Sequence, residues 1–135
     1  MLDRLYIMGT SVLGMKVPFT SARSVQRAAD MMKEVSSWGV QTDLAHGKFQ
    51  NEMELSIVVD STDVPIPRLK TLMQQYSQES FVVVQGLVGF LCCIDGIKIK
   101  VLKQGKAALT ASKPIDQDYT FMPNNGLYLS INFGD

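Results

Sequence analysis

With 135 residues, the chain has the length of a single globular domain spanning residues 1–135. Its hydrophobic fraction of 46% and charged fraction of 19% are ordinary for a globular protein. The 13 basic and 13 acidic side chains give a net charge of zero, which argues against nucleic-acid or membrane-surface binding through overall charge. No stretch of about 18 apolar residues is present, so we expect no membrane-spanning segment and no membrane partner.

The chain begins with a strand pattern and continues with a helix pattern. Residues 5–12 form a short apolar run, which predicts a strand. An amphipathic helix then runs to about Ser37, because apolar residues recur three and four positions apart. Its apolar positions are Val25, Ala28, Ala29, Met31, Met32 and Val35, and its candidate N-caps are Thr20, Ser21 and Ser24.

A hairpin and a second helix are predicted next. Val40–Phe49 and Leu55–Val59 indicate two strands joined by a polar tip. The helix begins near Pro67, because a proline is tolerated in the first turn, where its missing N–H would have no helical partner. Its buried stripe consists of Leu69, Leu72, Met73 and Tyr76.

The second half of the chain consists mainly of strand patterns. These are Phe81–Val84, Leu91–Ile94, Ile97–Val101 and Leu127–Phe133. Asp95-Gly96 is expected to make a tight two-residue hairpin turn, and residues 104–118 are polar and predict a loop. The order β-α-β-β-α-β-β-β-β predicts an α+β domain with two helices packed on a mostly antiparallel β-sheet.

Few residues suit a metal site or a disulfide. Cys92 and Cys93 are adjacent, so in a strand their side chains point to opposite faces. His46 is the only histidine, and we interpret it as a surface or hairpin residue rather than a general base. We therefore expect no catalytic residue, no metal site and no cofactor.

The same features predict a location. Unpaired cysteines favour a reducing cytosolic setting. Asp3 and Arg4 interrupt the apolar character at the start of the sequence, so we expect no signal peptide.

At two places in the sequence, a glutamate and a serine lie within or next to a probable strand. Burying an unpaired polar group costs about 1–3 kcal/mol, so these side chains either pair within the protein or face a ligand. If their strands are neighbours, Glu54 and Glu79 could share acid–base work. The pattern leaves both interpretations open. The candidate partner-binding or ligand-binding residues here are Glu54, Ser56, Tyr76, Gln78, Glu79 and Ser80.

Five lysines and no acidic residue lie between positions 96 and 115. We interpret Lys98, Lys100 and Lys103 as the solvated side of a hairpin whose charge protects a sheet edge, and as a second candidate contact region. Nucleic acid is not expected, because neither arginines nor stacking aromatics accompany these lysines in the sequence. An acidic protein partner and a phosphate-bearing small molecule remain alternatives.

Several short segments spread over most of the chain form a recognisable set: Ser21–Ser24, Gly47-x-Phe49, Glu54-x-Ser56, Tyr76–Ser80, Asp118–Thr120, Pro123 and the final strand to Phe133. Together they resemble a family of small phage and prophage proteins, and the most specific of them has the form Tyr-x-Gln-Glu-Ser. Ser77 and Asn51 depart from the pattern, since glycine is expected at both positions. The resemblance implies a phage context but no activity, because none is established for the family.

We therefore expect a phage-encoded, non-enzymatic accessory protein of the host cytosol. It would bind and inhibit a host defence protein or sequester the nucleotide signal of that protein. Two alternatives belong to other classes. One is a virion or assembly component that self-associates into a homo-oligomer, and the other is a small carboxylate-dependent enzyme that acts on a nucleotide.

Overall fold

A computed structural model describes residues 5–9, 22–49, 52–60, 64–76, 78, 80–96, 98–115, 117–123 and 125–133. The described helices are α1 (Ala22–Ser36) and α2 (Ile66–Gln75). The described strands are β1 (Leu5–Gly9), β2 (Gln41–Phe49), β3 (Glu52–Asp60), β4 (Phe81–Gln85), β5 (Val88–Asp95), β6 (Lys98–Thr110), β7 (Tyr119–Met122) and β8 (Leu127–Asn132).

The eight described strands form one antiparallel sheet that closes into a barrel. Their order around the barrel is β1-β3-β2-β7-β8-β6-β5-β4. The short strand β1 completes the closure, because it pairs with β3 along one side and with β4 along the other. The α+β class is therefore confirmed in broad terms, although the sheet is the dominant part of the fold.

Small and medium apolar side chains fill the inside of the barrel. The buried members of this inner core are Ile7, Ala45, Val58, Val84, Ala107, Met122 and Leu129. Strand β5 contributes Gly89 here, where an added Cβ would lie 2.6 Å from the side chain of Ile131. The interior is thus occupied by side chains, as is usual for a barrel of this strand number.

A second, outer core lies between the sheet and the two helices. The helices contribute Met31, Val35, Leu69, Leu72 and Met73, and the strands contribute Tyr6, Ile57, Val59, Phe81, Val83 and Cys92. Ile57 and Val58 are neighbours in β3 and face opposite sides of the sheet, so this one strand supports both cores.

The predicted strand order lacked β7, and the predicted loop at 104–118 is wrong in its first half. Strand β6 continues to Thr110, and β7 then pairs with both β2 and β8. The strand pattern in this part of β6 was hidden because two of its inward positions are the small residues Gly105 and Ala107. The 94–98 hairpin is confirmed, but its turn is shifted by one residue, since Asp95 pairs with Lys98.

Helix α1 lies where the apolar periodicity predicted it, but its buried face differs. The buried side chains are Ser24, Ala28, Met31 and Val35, whereas Val25 is 48% exposed. Ser24 is therefore part of the buried face rather than an N-cap, and Thr20 and Ser21 lie outside the described residues.

Helix α2 is confirmed with its predicted proline in the first turn. Pro65 precedes the helix as its N-cap residue, and its carbonyl oxygen accepts a 2.9 Å hydrogen bond from the backbone N–H of Leu69. Neither described helix has the length and apolar character that crossing a membrane requires.

Candidate functional site

The predicted site residues lie at three separate places in the structure. Glu54 and Ser56 belong to β3 and Ser80 directly precedes β4, Tyr76 and Gln78 follow α2, and the lysines lie on β6. Glu79 lies outside the described residues, so the structure describes no Glu54–Glu79 pair.

Ser56 and Ser80 lie near the two strands that flank β1. Ser56 belongs to β3 and pairs with Gly9 across the β1–β3 ladder. Ser80 directly precedes β4, and the β1–β4 register runs from Leu5↔Val84 to Ile7↔Val82, so it ends before Ser80. Ser56 shares the inward alternation of the inner core and is buried, whereas Ser80 is half-buried.

Glu54 lies two residues before Ser56 on the same side of β3. Its side chain is half-buried and takes part in an interaction. Glu54 pairs through its backbone with Gly47 of β2. The first candidate pattern in the sequence is thus a set of inward-facing polar residues on one strand.

Tyr76 and Gln78 close the end of α2, and Tyr76 also contacts α1. The Arg27 guanidinium donates a 2.8 Å hydrogen bond to the Tyr76 carbonyl oxygen and lies 5.2 Å from the centre of the Tyr76 ring. The backbone N–H of Gln78 donates to the carbonyl oxygen of Met73 at 2.8 Å. Tyr76 thus has a role in joining the two helices, and Gln78 has one in ending α2.

The electrostatic surroundings of Tyr76 keep its hydroxyl protonated. Burial raises the pKa of Tyr76 above its ordinary value of 10.0, and the Asp30 carboxylate raises it further. The Arg27 guanidinium lowers that pKa and so opposes both effects. Tyr76 is consequently a neutral aromatic partner for Arg27 at physiological pH.

The predicted lysines lie on a part of β6 that extends past the barrel. Residues 98–106 of β6 pair with β5, whereas pairing with β8 begins only at Lys106. Residues 98–104 thus have no second neighbour among the described strands, and we call this side of β6 the ribbon edge. Lys98, Lys100 and Lys103 are all exposed there, and Lys98 pairs with Asp95 across the hairpin.

Two apolar side chains accompany the lysines on the ribbon edge. Val101 is 51% exposed and Leu102 is 48% exposed. Both lie at an irregularity in the β5–β6 register, where Leu91 pairs with Lys103 and Cys92 pairs with Val101. The extra residue of a β-bulge bends a strand locally, which accounts for the exposure of large side chains here.

The structure also assembles an aromatic row that the sequence analysis missed. His46, Phe121 and Tyr128 occupy directly paired positions on β2, β7 and β8, and we use the name aromatic row for these three residues. The ring centres of His46 and Phe121 are 5.2 Å apart, and those of Phe121 and Tyr128 are 4.7 Å apart. His46 and Phe121 are 75 positions apart in the sequence, so no local pattern indicated that they lie side by side.

Tyr119 extends the aromatic row toward a cation. Its ring centre lies 5.5 Å from that of Tyr128 in an edge-on arrangement. The Lys113 ammonium lies 5.6 Å from the centre of the Tyr119 ring, and the Tyr119 hydroxyl contacts the sulfur of Met53 at 3.8 Å. The short alternation Tyr119-Thr120-Phe121 was the one local signal for this outward-facing cluster.

Comparison with known proteins adds no family. No family model matches the chain, and no curated protein matches it either. Within the described part of the chain, no three His, Cys, Asp or Glu side chains are grouped as metal ligands would be. Cys92 and Cys93 are both free thiols, the first buried and the second half-buried.

Proposed function

We propose that this chain is a non-enzymatic binding protein that inhibits a host protein by covering part of its surface. The phage setting implied by the sequence resemblance is part of this proposal. The ribbon edge of β6 is the contact region, and it is the observation that carries the proposal.

The backbone of the ribbon edge supports this assignment. A strand with one unpaired side offers N–H and C=O groups to which another extended chain can add as a further strand. Along residues 98–104 these groups have no described strand beside them. An extended segment of a partner would satisfy them without any change in the barrel.

The side chains of the ribbon edge indicate what kind of segment fits. Lys98, Lys100 and Lys103 favour acidic side chains on the partner, since opposite charges on adjacent strands are attractive. The exposed Val101 and Leu102 favour apolar side chains among the acidic ones. Two copies of this chain would bring lysines together at the same edge, so charge favours a different protein over self-association.

Charge reversal on the ribbon edge tests the proposal. We expect tagged wild-type protein to retain one host protein at near-stoichiometric yield from host lysate, measured by quantitative mass spectrometry. The variant Lys98→Glu/Lys100→Glu/Lys103→Glu should lose this protein. Lys33→Glu, at an exposed position on α1, is the matched control and should retain it.

Two results would contradict the proposal. One is equal retention of the host protein by the triple variant and by wild type, with the same thermal stability in both. The other is a wild-type chain that elutes from gel filtration as a stable oligomer and becomes monomeric in the triple variant. The second result would support the assembly component instead.

A further inference from the structure

The aromatic row presents its rings on a part of the sheet that the helices leave open. α1 packs over β2 and β3, and no described residue of β7 or β8 belongs to the outer core beneath the helices. His46, Phe121 and Tyr128 are each half-buried, although the Nδ1 atom of His46 and the neighbouring Tyr119 are buried. Each residue of the aromatic row thus keeps part of its surface accessible.

Positive charge surrounds the aromatic row. Lys48 pairs with Tyr119 across the β2–β7 ladder, and Lys113 lies over the Tyr119 ring. Lys106 is exposed on β6 and pairs with Asn132 of β8. Strand alternation places Lys48 and Lys106 on the same outward face as the rings.

Negative charge is sparse on the same face. On β2, β6, β7 and β8, the described residues whose side chains point outward beside these rings include no Asp or Glu. They are Thr42, Leu44, His46, Lys48, Lys106, Ala108, Thr110, Tyr119, Phe121, Tyr128, Ser130 and Asn132. Asp118, just before β7, is exposed and engaged in an interaction of its own.

We propose that the aromatic row binds single-stranded nucleic acid. Proteins that bind such strands combine aromatic rings, on which successive bases stack, with cations along the backbone path. Here two or three bases would stack on His46, Phe121 and Tyr128. The phosphates would lie along the lysines named above. A duplex does not fit this chemistry, because its bases are already stacked and paired.

This inference goes beyond the proposed function and does not depend on the ribbon edge. It also revises the expectation from sequence, which set nucleic acid aside because no aromatics accompany the lysines along the chain. In the folded protein, Lys113 lies against Tyr119, and Lys48 pairs with Tyr119 across the β2–β7 ladder. The fold thus brings lysines and aromatic rings together although they are not neighbours in the sequence.

Fluorescence anisotropy with the full chain tests the inference. The probes are labelled uridine RNA and thymidine DNA of about 12 nucleotides, a length within the range that one such site covers. We expect binding at about 50 mM salt that weakens toward about 200 mM. A plot of the logarithm of the binding constant against the logarithm of the salt concentration should have a slope of about −1.4 to −2, as two or three phosphate contacts predict.

Three variants separate stacking from charge. Phe121→Leu should weaken binding by about 5- to 150-fold, since one stacked base contributes roughly 1–3 kcal/mol. Tyr128→Leu removes a second stacking ring of the aromatic row and should weaken binding as well. Lys106→Gln, at an exposed position, should weaken binding and reduce the magnitude of the salt slope by about 0.7.

A control on the ribbon edge and a competition complete the test. Lys98→Gln/Lys100→Gln should bind the oligonucleotides as wild type does, and thermal unfolding of every variant should match wild type. The inference is overturned if neither oligonucleotide binds at about 50 mM salt. It is also overturned if Phe121→Leu and Lys106→Gln both bind normally, or if free uridine monophosphate displaces the RNA at equal base concentration.

Discussion

Gly47 illustrates how a single residue fixes the approach of two strands. It pairs with Glu54 on one side and with Thr120 on the other. A Cβ built on Gly47 would lie 2.1 Å from the carbonyl oxygen of Tyr119 and 3.0 Å from the Cα of Thr120. Since both atoms belong to the backbone, a side chain at position 47 would force β2 and β7 apart. The position of the aromatic row therefore depends on glycine here.

Replacing Gly47 with alanine is expected to destabilise the fold by about 3 kcal/mol, because the clash involves backbone that cannot rotate away. Urea denaturation followed by circular dichroism measures this change. Gly86→Ala is the matched comparison, because Gly86 has a φ of +61° but no atom within 4 Å of an added Cβ. It should lose only about 1 kcal/mol through backbone strain. Equal losses in both variants would show that the approach of β2 and β7 is not the cause.

At the scale of elements, the Arg27 side chain of α1 contacts Tyr76, the residue that follows α2. Arg27 contacts Tyr76 twice, once through the carbonyl oxygen and once through the ring. The buried faces of the two helices meet the same outer core. The Tyr76 segment, which the sequence offered as a candidate binding motif, thus has a clear role in the arrangement of the helices.

We expect Arg27→Ala to lower the free energy of unfolding by about 1–2 kcal/mol, since it removes a hydrogen bond and a cation–π contact. Arg27→Lys should recover part of the loss, because the charge remains while the planar guanidinium does not. Arg23→Ala, one turn earlier at an exposed position of α1, serves as the control and should change stability little. A loss in Arg23→Ala as large as that in Arg27→Ala would instead indicate a general effect on the helix.

At the scale of the whole molecule, the barrel has two cores that share one sheet. Ile57 faces the helices and Val58 faces the barrel interior, and both are buried. Because adjacent residues of β3 serve the two cores, disruption of one core displaces the strand that supports the other. The helices and the barrel should therefore unfold together.

Ile57→Ala should reduce stability by about 2–5 kcal/mol, as expected for a large side chain removed from a packed core. Val25→Ala, at the exposed face of α1, should change stability by less than about 0.5 kcal/mol. In both variants and in wild type, Trp38 fluorescence and far-UV circular dichroism should give the same denaturation midpoint. Separate midpoints in wild type would contradict shared support of the two cores.

Local patterns in the sequence predicted much of the element content. Helical periodicity located α1 and α2, and the hairpins β2–β3 and β5–β6 were recognised from their alternation and turns. The strand pattern predicted at Leu127–Phe133 corresponds to β8, whose alternate residues Leu127, Leu129 and Ile131 all contribute to the inner core. Such predictions succeed because the period of apolar residues is set by backbone geometry within each element.

The candidate sites were predicted less completely than the elements. The exposure of Lys98 and Lys100 followed from strand alternation, but the ribbon edge depends on where β8 begins to pair. His46 was noticed as a single histidine, whereas its neighbours Phe121 and Tyr128 come from strands far along the chain. A four-residue strand such as β7 carries too little periodicity to be recognised before its partners are known.

The sequence by itself determined the two helices, most of the strands and the exposed, lysine-rich character of the β5–β6 hairpin, because each of these is written in residues a few positions apart. Only the tertiary structure decided that β1 closes the sheet through β4, that β7 fits between β2 and β8, and that the aromatic row forms on the outer face. These features depend on pairing between segments separated by many tens of residues. Such pairing is selected by the packing of the whole barrel, which no local pattern encodes.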